Sequence, residues 1–269
     1  MITEKIILAI LITASVGAVA GYLGTLMLSK RMSLVGGPLG HITLPGITLA
    51  LLYGFDVSIG AFATLIFGIL LIWFFEKKTK LPTEALTAIV FTSSVAVAFL
   101  FLPLEEVEIA LIGDISKLTV LTTFASVALS IAAFLVVRKI YKKMVFAAIS
   151  EDLAKSEQIN VDRINLIYLL TVAVVIGLGI RIVGSLLTAA VVAIPAATSK
   201  NLTTNMRAYA YGGAIAGGLA GILGIIAHLL FSIPAGLAVI VSSSILFLGS
   251  VIFQRNVKCP FFAQNVCSF

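Results

Sequence analysis

IILAILITASVGAVAGYLGTLML, residues 6–28, carries no charged side chain. As α-helix at ~1.5 Å per residue, a run of this length crosses ~30 Å of hydrocarbon. It is spanning length, longer than the apolar core of a cleavable signal peptide. In lipid the backbone must satisfy its own hydrogen bonds, which leaves helix bundles or closed barrels. The run is too long and too unalternating for a barrel strand. Comparable apolar stretches recur at roughly 40–55, 58–75, 85–103, 116–137, 164–180, 183–198, 208–231 and 234–253. The chain of 269 residues is 60% hydrophobic and only 11% charged, where a soluble domain carries about 25% charged residues. The sequence therefore predicts an all-α integral membrane protein, a polytopic bundle of eight or nine transmembrane helices. It forms one transmembrane domain over 1–255, followed by a tail, 256–269.

Charge placement fixes the orientation. With nine spans and the N-terminus outside, every Lys and Arg of the 18 except Lys5, Lys117 and Arg181 faces the cytoplasm. Asp56 and the trio Glu105, Glu106 and Glu108 fall in the opposite loops. The net charge of +6 thus reflects loops between spans; it forms no aromatic-interleaved basic patch, so nucleic acid is not an expected partner. Cys259 and Cys267 sit in the cytoplasmic tail at no common zinc-ligand spacing, and a disulfide is disfavoured there. The multi-pass topology places the protein in the cell membrane.

No soluble-enzyme constellation is present: there is no GxxxxGK[ST] loop, no HExxH and no GxSxG. The chain is not expected to be an enzyme, and no stably bound cofactor is expected. Chemistry is sought among polar residues at membrane depth, which are costly and usually functional. His41 is the main candidate. It lies about ten residues beyond Arg31, near mid-bilayer, in the stretch Gly36-Gly37-Pro38-Leu39-Gly40-His41-Ile42-Thr43-Leu44-Pro45-Gly46. So much proline and glycine predicts a broken helix around Pro45 and Gly46. The imidazole can ligate a transition metal or donate to carbonyls freed by the break. The short 183–198 segment, with Pro195, is a second candidate for a broken or re-entrant helix. His228, near the outer end of its span, is a secondary candidate for the path, with packing as its alternative. Glu84 suits the positive end of its helix.

Two other patterns stand out. Gly17, Gly21 and Gly24, and the series Gly212, Gly213, Gly217, Gly218, Gly221 and Gly224, put small residues on helix faces that can pack closely. The polar stretch 138–163 is read as a long cytoplasmic loop. Within it Glu151-Asp152-Leu153-Ala154-Lys155-Ser156 forms a short helix capped by Ser150. That helix is either a solvated linker or a docking element for a cytoplasmic partner.

Arg31-Met32-Ser33-Leu34-Val35 followed by Leu39-Gly40-His41-Ile42-Thr43-Leu44-Pro45-Gly46 resembles the RMSLxxDxLSHxxLPG signature of permeases from the zinc/manganese/iron family of ABC importers. Val183-Gly184-Ser185-Leu186-Leu187 through Ala193-Ile194-Pro195-Ala196-Ala197-Thr198 is similar to that family's VGxLLxxAxLxIPAAT segment. Leu111-Ile112-Gly113-Asp114-Ile115 resembles its LFGxI motif, and Ile233-Pro234-Ala235-Gly236 its late PxG turn. The blocks fall in family order over roughly residues 10–253. The resemblance implies a homodimeric permease carrying divalent transition-metal ions as cargo. It also implies two cytoplasmic ATP-binding cassette ATPase subunits and an extracellular or periplasmic solute-binding protein. The 150–160 region would be the coupling helix, with Glu151, Asp152, Ala154, Ser156 and Ile159 engaging the ATPase. His41 would help pass the ion. Two departures stand out. Gly37 replaces the family's carboxylate one turn before the histidine, which removes a hard oxygen ligand. Gln158 replaces a glycine before Ile159, which predicts a different exit turn from the coupling helix. A self-sufficient secondary transporter or channel is the alternative, disfavoured by the scarcity of acids at depth; Gly37 also leaves room for a non-metal solute.

Overall fold

The structure, a computed structural model, describes residues 2–30, 32, 35–79, 81–101, 120–184 and 188–254. Among the described residues there are eleven helices and no strand. In chain order they are α1 (Ile2–Ser29), α2 (Gly36–His41), α3 (Leu44–Tyr53), α4 (Val57–Thr79), α5 (Thr83–Phe101), α6 (Val120–Ile149), α7 (Glu151–Ser156), α8 (Val161–Val183), α9 (Thr188–Leu202), α10 (Met206–Phe231) and α11 (Ala235–Gln254). Seven of them, α1, α4, α5, α6, α8, α10 and α11, are long and apolar enough to cross a membrane. The two apolar segments that fall short are the ones interrupted by proline and glycine: 40–55 becomes the pair α2–α3, and 183–198 yields the 15-residue α9. Arg31, Ser33, Leu34, Glu105, Glu106, Glu108, residues 111–115, Lys117, residues 185–187, Cys259, Cys267 and the tail 256–269 lie outside the described residues.

The expected long loop at 138–163 is largely helix. α6 runs unbroken to Ile149, carrying Arg138, Lys139, Lys142 and Lys143 on its surface. The reason is periodicity: Val137, Tyr141 and Met144 recur at helical spacing and are buried, so the charged residues between them simply face out. Only Ser150, residues 157–160 and the short α7 separate α6 from α8.

α1 and α8 are the most enclosed of the spans. The glycine faces do the packing: the backbone of Gly17 meets that of Gly217, Gly21 meets Gly213, and Gly24 meets the Val192 carbonyl of α9. Without side chains in between, α1 and α10 approach at backbone contact. Tyr168 of α8 is fully buried and its hydroxyl donates to the Leu23 carbonyl at 3.3 Å. The hydroxyls of Thr25 and Tyr141 hydrogen-bond at 3.1 Å, joining α1 to α6.

Polar ties gather several helix ends at one membrane face. Lys30 Nζ donates to Asn165 Oδ1 and Asn165 Nδ2 donates to Glu76 Oε2, each at 2.9 Å. Thr83, at the start of α5, donates to the same Glu76 carboxylate. Nearby, Lys77 pairs with Asp162 at 3.7 Å and lies 4.5 Å from the centre of the Trp73 ring, an interfacial aromatic. The C-terminal ends of α1 and α4 and the starts of α5 and α8 therefore share the face that the basic loops assign to the cytoplasm. Glu84 sits in the first turn of α5, where its charge opposes the helix dipole favourably.

Candidate translocation site

The α2–α3 break is built by its own residues. The Ile42 N–H still reaches the Pro38 carbonyl at 3.1 Å, and the Ile47 N–H bonds the Thr43 carbonyl at 3.0 Å. Between them stands Pro45, in the first turn of α3, with no N–H to offer the carbonyl four residues back, that of His41. The Thr43 hydroxyl donates to the Gly40 carbonyl at 2.6 Å, so a side chain takes up part of what the helix gives up at the bend. Gly46 then lets α3 lie on α4, its backbone against that of Gly60, before Gly54 in the left-handed conformation (φ 71°) turns the chain.

Antiparallel packing on α4 also sets the depth of His41. Its neighbour Ile42 rests on Gly68, the central residue of the 23-residue α4. The imidazole thus lies level with the middle of α4, half-buried, with its ring 5.5 Å from that of Phe91, centre to centre, and tilted by 42°. Gly37, one turn before it, faces Ala189 of α9; a β carbon at Gly37 would meet the Ala189 methyl at 3.5 Å, an ordinary contact. Packing therefore leaves room for a β carbon at position 37. Among the described residues no group of three His, Cys, Asp or Glu side chains is placed to hold a metal.

The structure separates the two histidines. His228 lies in the last turn of α10 and ties to the turn that follows, its Nδ1 2.5 Å from the Ile233 carbonyl, where Ser232 adopts φ 54°. It closes that turn rather than joining His41 at mid-depth. At Pro195 the expected break is absent: α9 runs through it without interruption. Pro195 is buried beside Gly21, and close helix packing holds the segment despite the lost bond to the Val191 carbonyl.

The cytoplasmic helix α7 is finished at both ends. The Leu153 N–H donates to the Ser150 side chain at 3.3 Å. At the other end the Gln158 N–H bonds the Lys155 carbonyl and the Ile159 N–H bonds the Ala154 carbonyl, both at 3.0 Å. That pair of bonds is the Schellman motif, and it requires a left-handed residue between them. Gln158 supplies it at φ 57°. The exit turn is therefore the one a glycine would make, not the different turn expected from the missing glycine. Ala154 is fully buried beneath the helix and Ile159 half-buried, while Asp152, Leu153 and Ser156 are exposed. A non-glycine residue in this conformation costs about 1 kcal/mol. Gln158→Gly is accordingly expected to raise stability by up to about 1 kcal/mol, less the extra chain entropy of glycine. Thermal unfolding of the detergent-solubilised protein measures this, and a clear loss of stability would refute it.

Phe91, Asn165 and Glu76 were not singled out by the sequence. Phe91 is one of 17 phenylalanines and gives no signal of its own. Asn165 did give one, an amide at the edge of an apolar run.

These features have counterparts elsewhere. A family model described as the ABC 3 transport family matches residues 3–254. The chain belongs to that family. It is thus a membrane permease of the ABC-transporter type, a multi-pass transport subunit. The manganese transport system membrane protein MntC of Listeria monocytogenes is 23% identical over 249 residues, covering 91% of this chain and 89% of that protein. The high-affinity zinc uptake system membrane protein ZnuB of Buchnera aphidicola is 27% identical over 248 residues, covering 89% of this chain and 92% of that one. PsaBC from Streptococcus pneumoniae, solved in complex with Fab, superposes with a TM-score of 0.76 at 24% identity over 95% of this chain and 98% of its own; it shares the fold.

Proposed function

We propose that this ABC 3 family permease imports a divalent transition-metal ion (manganese, zinc or iron) as a pair of copies. Two cytoplasmic ATPase subunits drive it and an external solute-binding protein delivers the ion. The observation that carries the reading is the imidazole of His41 at mid-depth beside a helix break. A neutral imidazole binds such ions, and the break puts it next to a carbonyl without its helical partner. The relatives named for manganese and zinc support the same cargo class. α7, the exposed six-residue helix between α6 and α8, is the contact for the ATPase. α8, separated from α7 by residues 157–160 and tied through Asn165 to α1 and α4, would carry the stroke into the bundle.

The test is ATP-dependent uptake of manganese, zinc and iron into proteoliposomes holding the permease, its ATPase and its binding protein. Absence of all three fluxes would refute the cargo assignment. A second measurement probes Gly37. Gly37→Asp places a carboxylate one turn from His41, where the two can share an ion. The variant is expected to fold normally and to retain metal on purification about tenfold better than the parent. Unchanged retention would show that position 37 does not face the path.

A further inference from the structure

On the cytoplasmic side of the bundle, α6 and α10 both pack on α1 and leave a cleft of about 820 Å³ between them. Arg138, Lys139 and Lys142 line it from α6 and Arg207 from α10. All four are exposed, and no carboxylate is among the lining residues or paired with them among the described residues. The floor is apolar and aromatic: Tyr22 of α1 is buried, with its ring 5.2 Å from that of Tyr141 and 5.9 Å from that of Tyr211. Toward the membrane centre the same helix faces turn fully apolar. Leu135 lies one turn from Arg138, and Ile215 one turn from Tyr211; both are exposed.

A cationic rim on an aromatic floor, continuing into a lipid-facing apolar strip, matches one class of ligand. The rim suits a phosphodiester and the strip suits acyl chains. We propose that this cleft is a binding site for an acidic phospholipid of the cytoplasmic leaflet, with the headgroup phosphate held by Arg138 and Arg207 across the gap. The topological role of these cations does not require this convergence: positive residues need only lie near the cytoplasmic ends of spans. Here residues from helices 69 positions apart, Arg138 and Arg207, meet over one cleft. Basic pockets between spans on this side of the membrane are suited to anionic headgroups. The neighbouring groove between α6 and the α7–α8 turn differs, because Glu157 stands among its lining residues with Lys142, Lys143 and Arg163.

The test uses the full chain in mild detergent with palmitoyl-oleoyl phosphatidylglycerol as probe and phosphatidylcholine of the same chains as control. Native mass spectrometry is expected to show bound phosphatidylglycerol and little phosphatidylcholine. Each basic residue near the surface is worth about a factor of five in affinity, so R138Q/R207Q should weaken phosphatidylglycerol binding roughly 30-fold. K77Q/K78Q, at the end of α4, should not change it. If R138Q/R207Q does not fold, K139Q/K142Q carries the same expectation. Equal retention of both lipids, or binding unchanged by the cleft variants, overturns the proposal. Loss of lipid upon addition of millimolar inorganic phosphate overturns it in favour of a free-phosphate site.

Discussion

His41→Ala is expected to reduce ATP-dependent metal uptake at least about tenfold while leaving the protein folded and assembled with its ATPase. Loss of an outer-shell partner alone costs a metal site about 10–100-fold, so loss of a direct nitrogen contact should cost at least about tenfold. Folding should survive because His41 is only half-buried and its described ring contact is a tilted one with Phe91. The α2–α3 bend also persists, since Pro45 and Gly46 rather than the imidazole create it. The readouts are metal flux in proteoliposomes, ATPase rate in the same vesicles, and size-exclusion behaviour. Normal flux with normal assembly would remove His41 from the path. A collapse of assembly would instead assign it a packing role. A matching His228→Ala variant should leave flux within about twofold of the parent and lose only the local bond to the Ile233 carbonyl, worth about 1 kcal/mol.

Gly21→Val should be among the most destructive single changes in the bundle. A β carbon there would collide with the backbone of Gly213 and press on the Pro195 side chain. Neither is the far end of a flexible side chain, so α1 has to move off α10 and α9 together. Overpacking usually costs 1–3 kcal/mol, and a clash with backbone on two neighbours belongs at or above about 3 kcal/mol. The expected outcome is loss of a monodisperse peak after extraction, or a large drop in thermal midpoint, measured by fluorescence-detected chromatography. Gly249 is the control, because a β carbon there meets nothing within 4 Å. Gly249→Ala should be neutral, and equal damage at both positions would mean that the α1–α10 contact is not the reason.

How much of this could be read from sequence depended on whether the deciding interaction was local. The apolar runs announced the spans because hydrophobic length is a property of the segment itself. Pro38, Pro45 and the surrounding glycines likewise foretold the break, and Ser150 foretold the start of α7. The charged run Arg138 to Lys143 was misleading for a physical reason. A polar stretch reads as loop unless the buried Tyr141 and Met144 among the charges are recognised as one helix face. The turn at Gln158 was missed because two backbone bonds from α7 impose the left-handed conformation, whatever the residue's own preference. Asn165 and Glu76 became meaningful only once three helices, far apart in sequence, delivered them to one spot.

The small residue at position 37 has a kinetic meaning as well as a structural one. The stretch from Gly36 to Tyr53 holds no carboxylate, so a divalent cation beside His41 would meet no countercharge from its own segment. An uncompensated charge in a medium of low dielectric constant is held weakly. On the proposed reading the midpoint of the path is then a place of short dwell. Turnover would be paced by delivery and by the ATPase cycle rather than by release from the channel, and chelators added from either side would find little ion resting there.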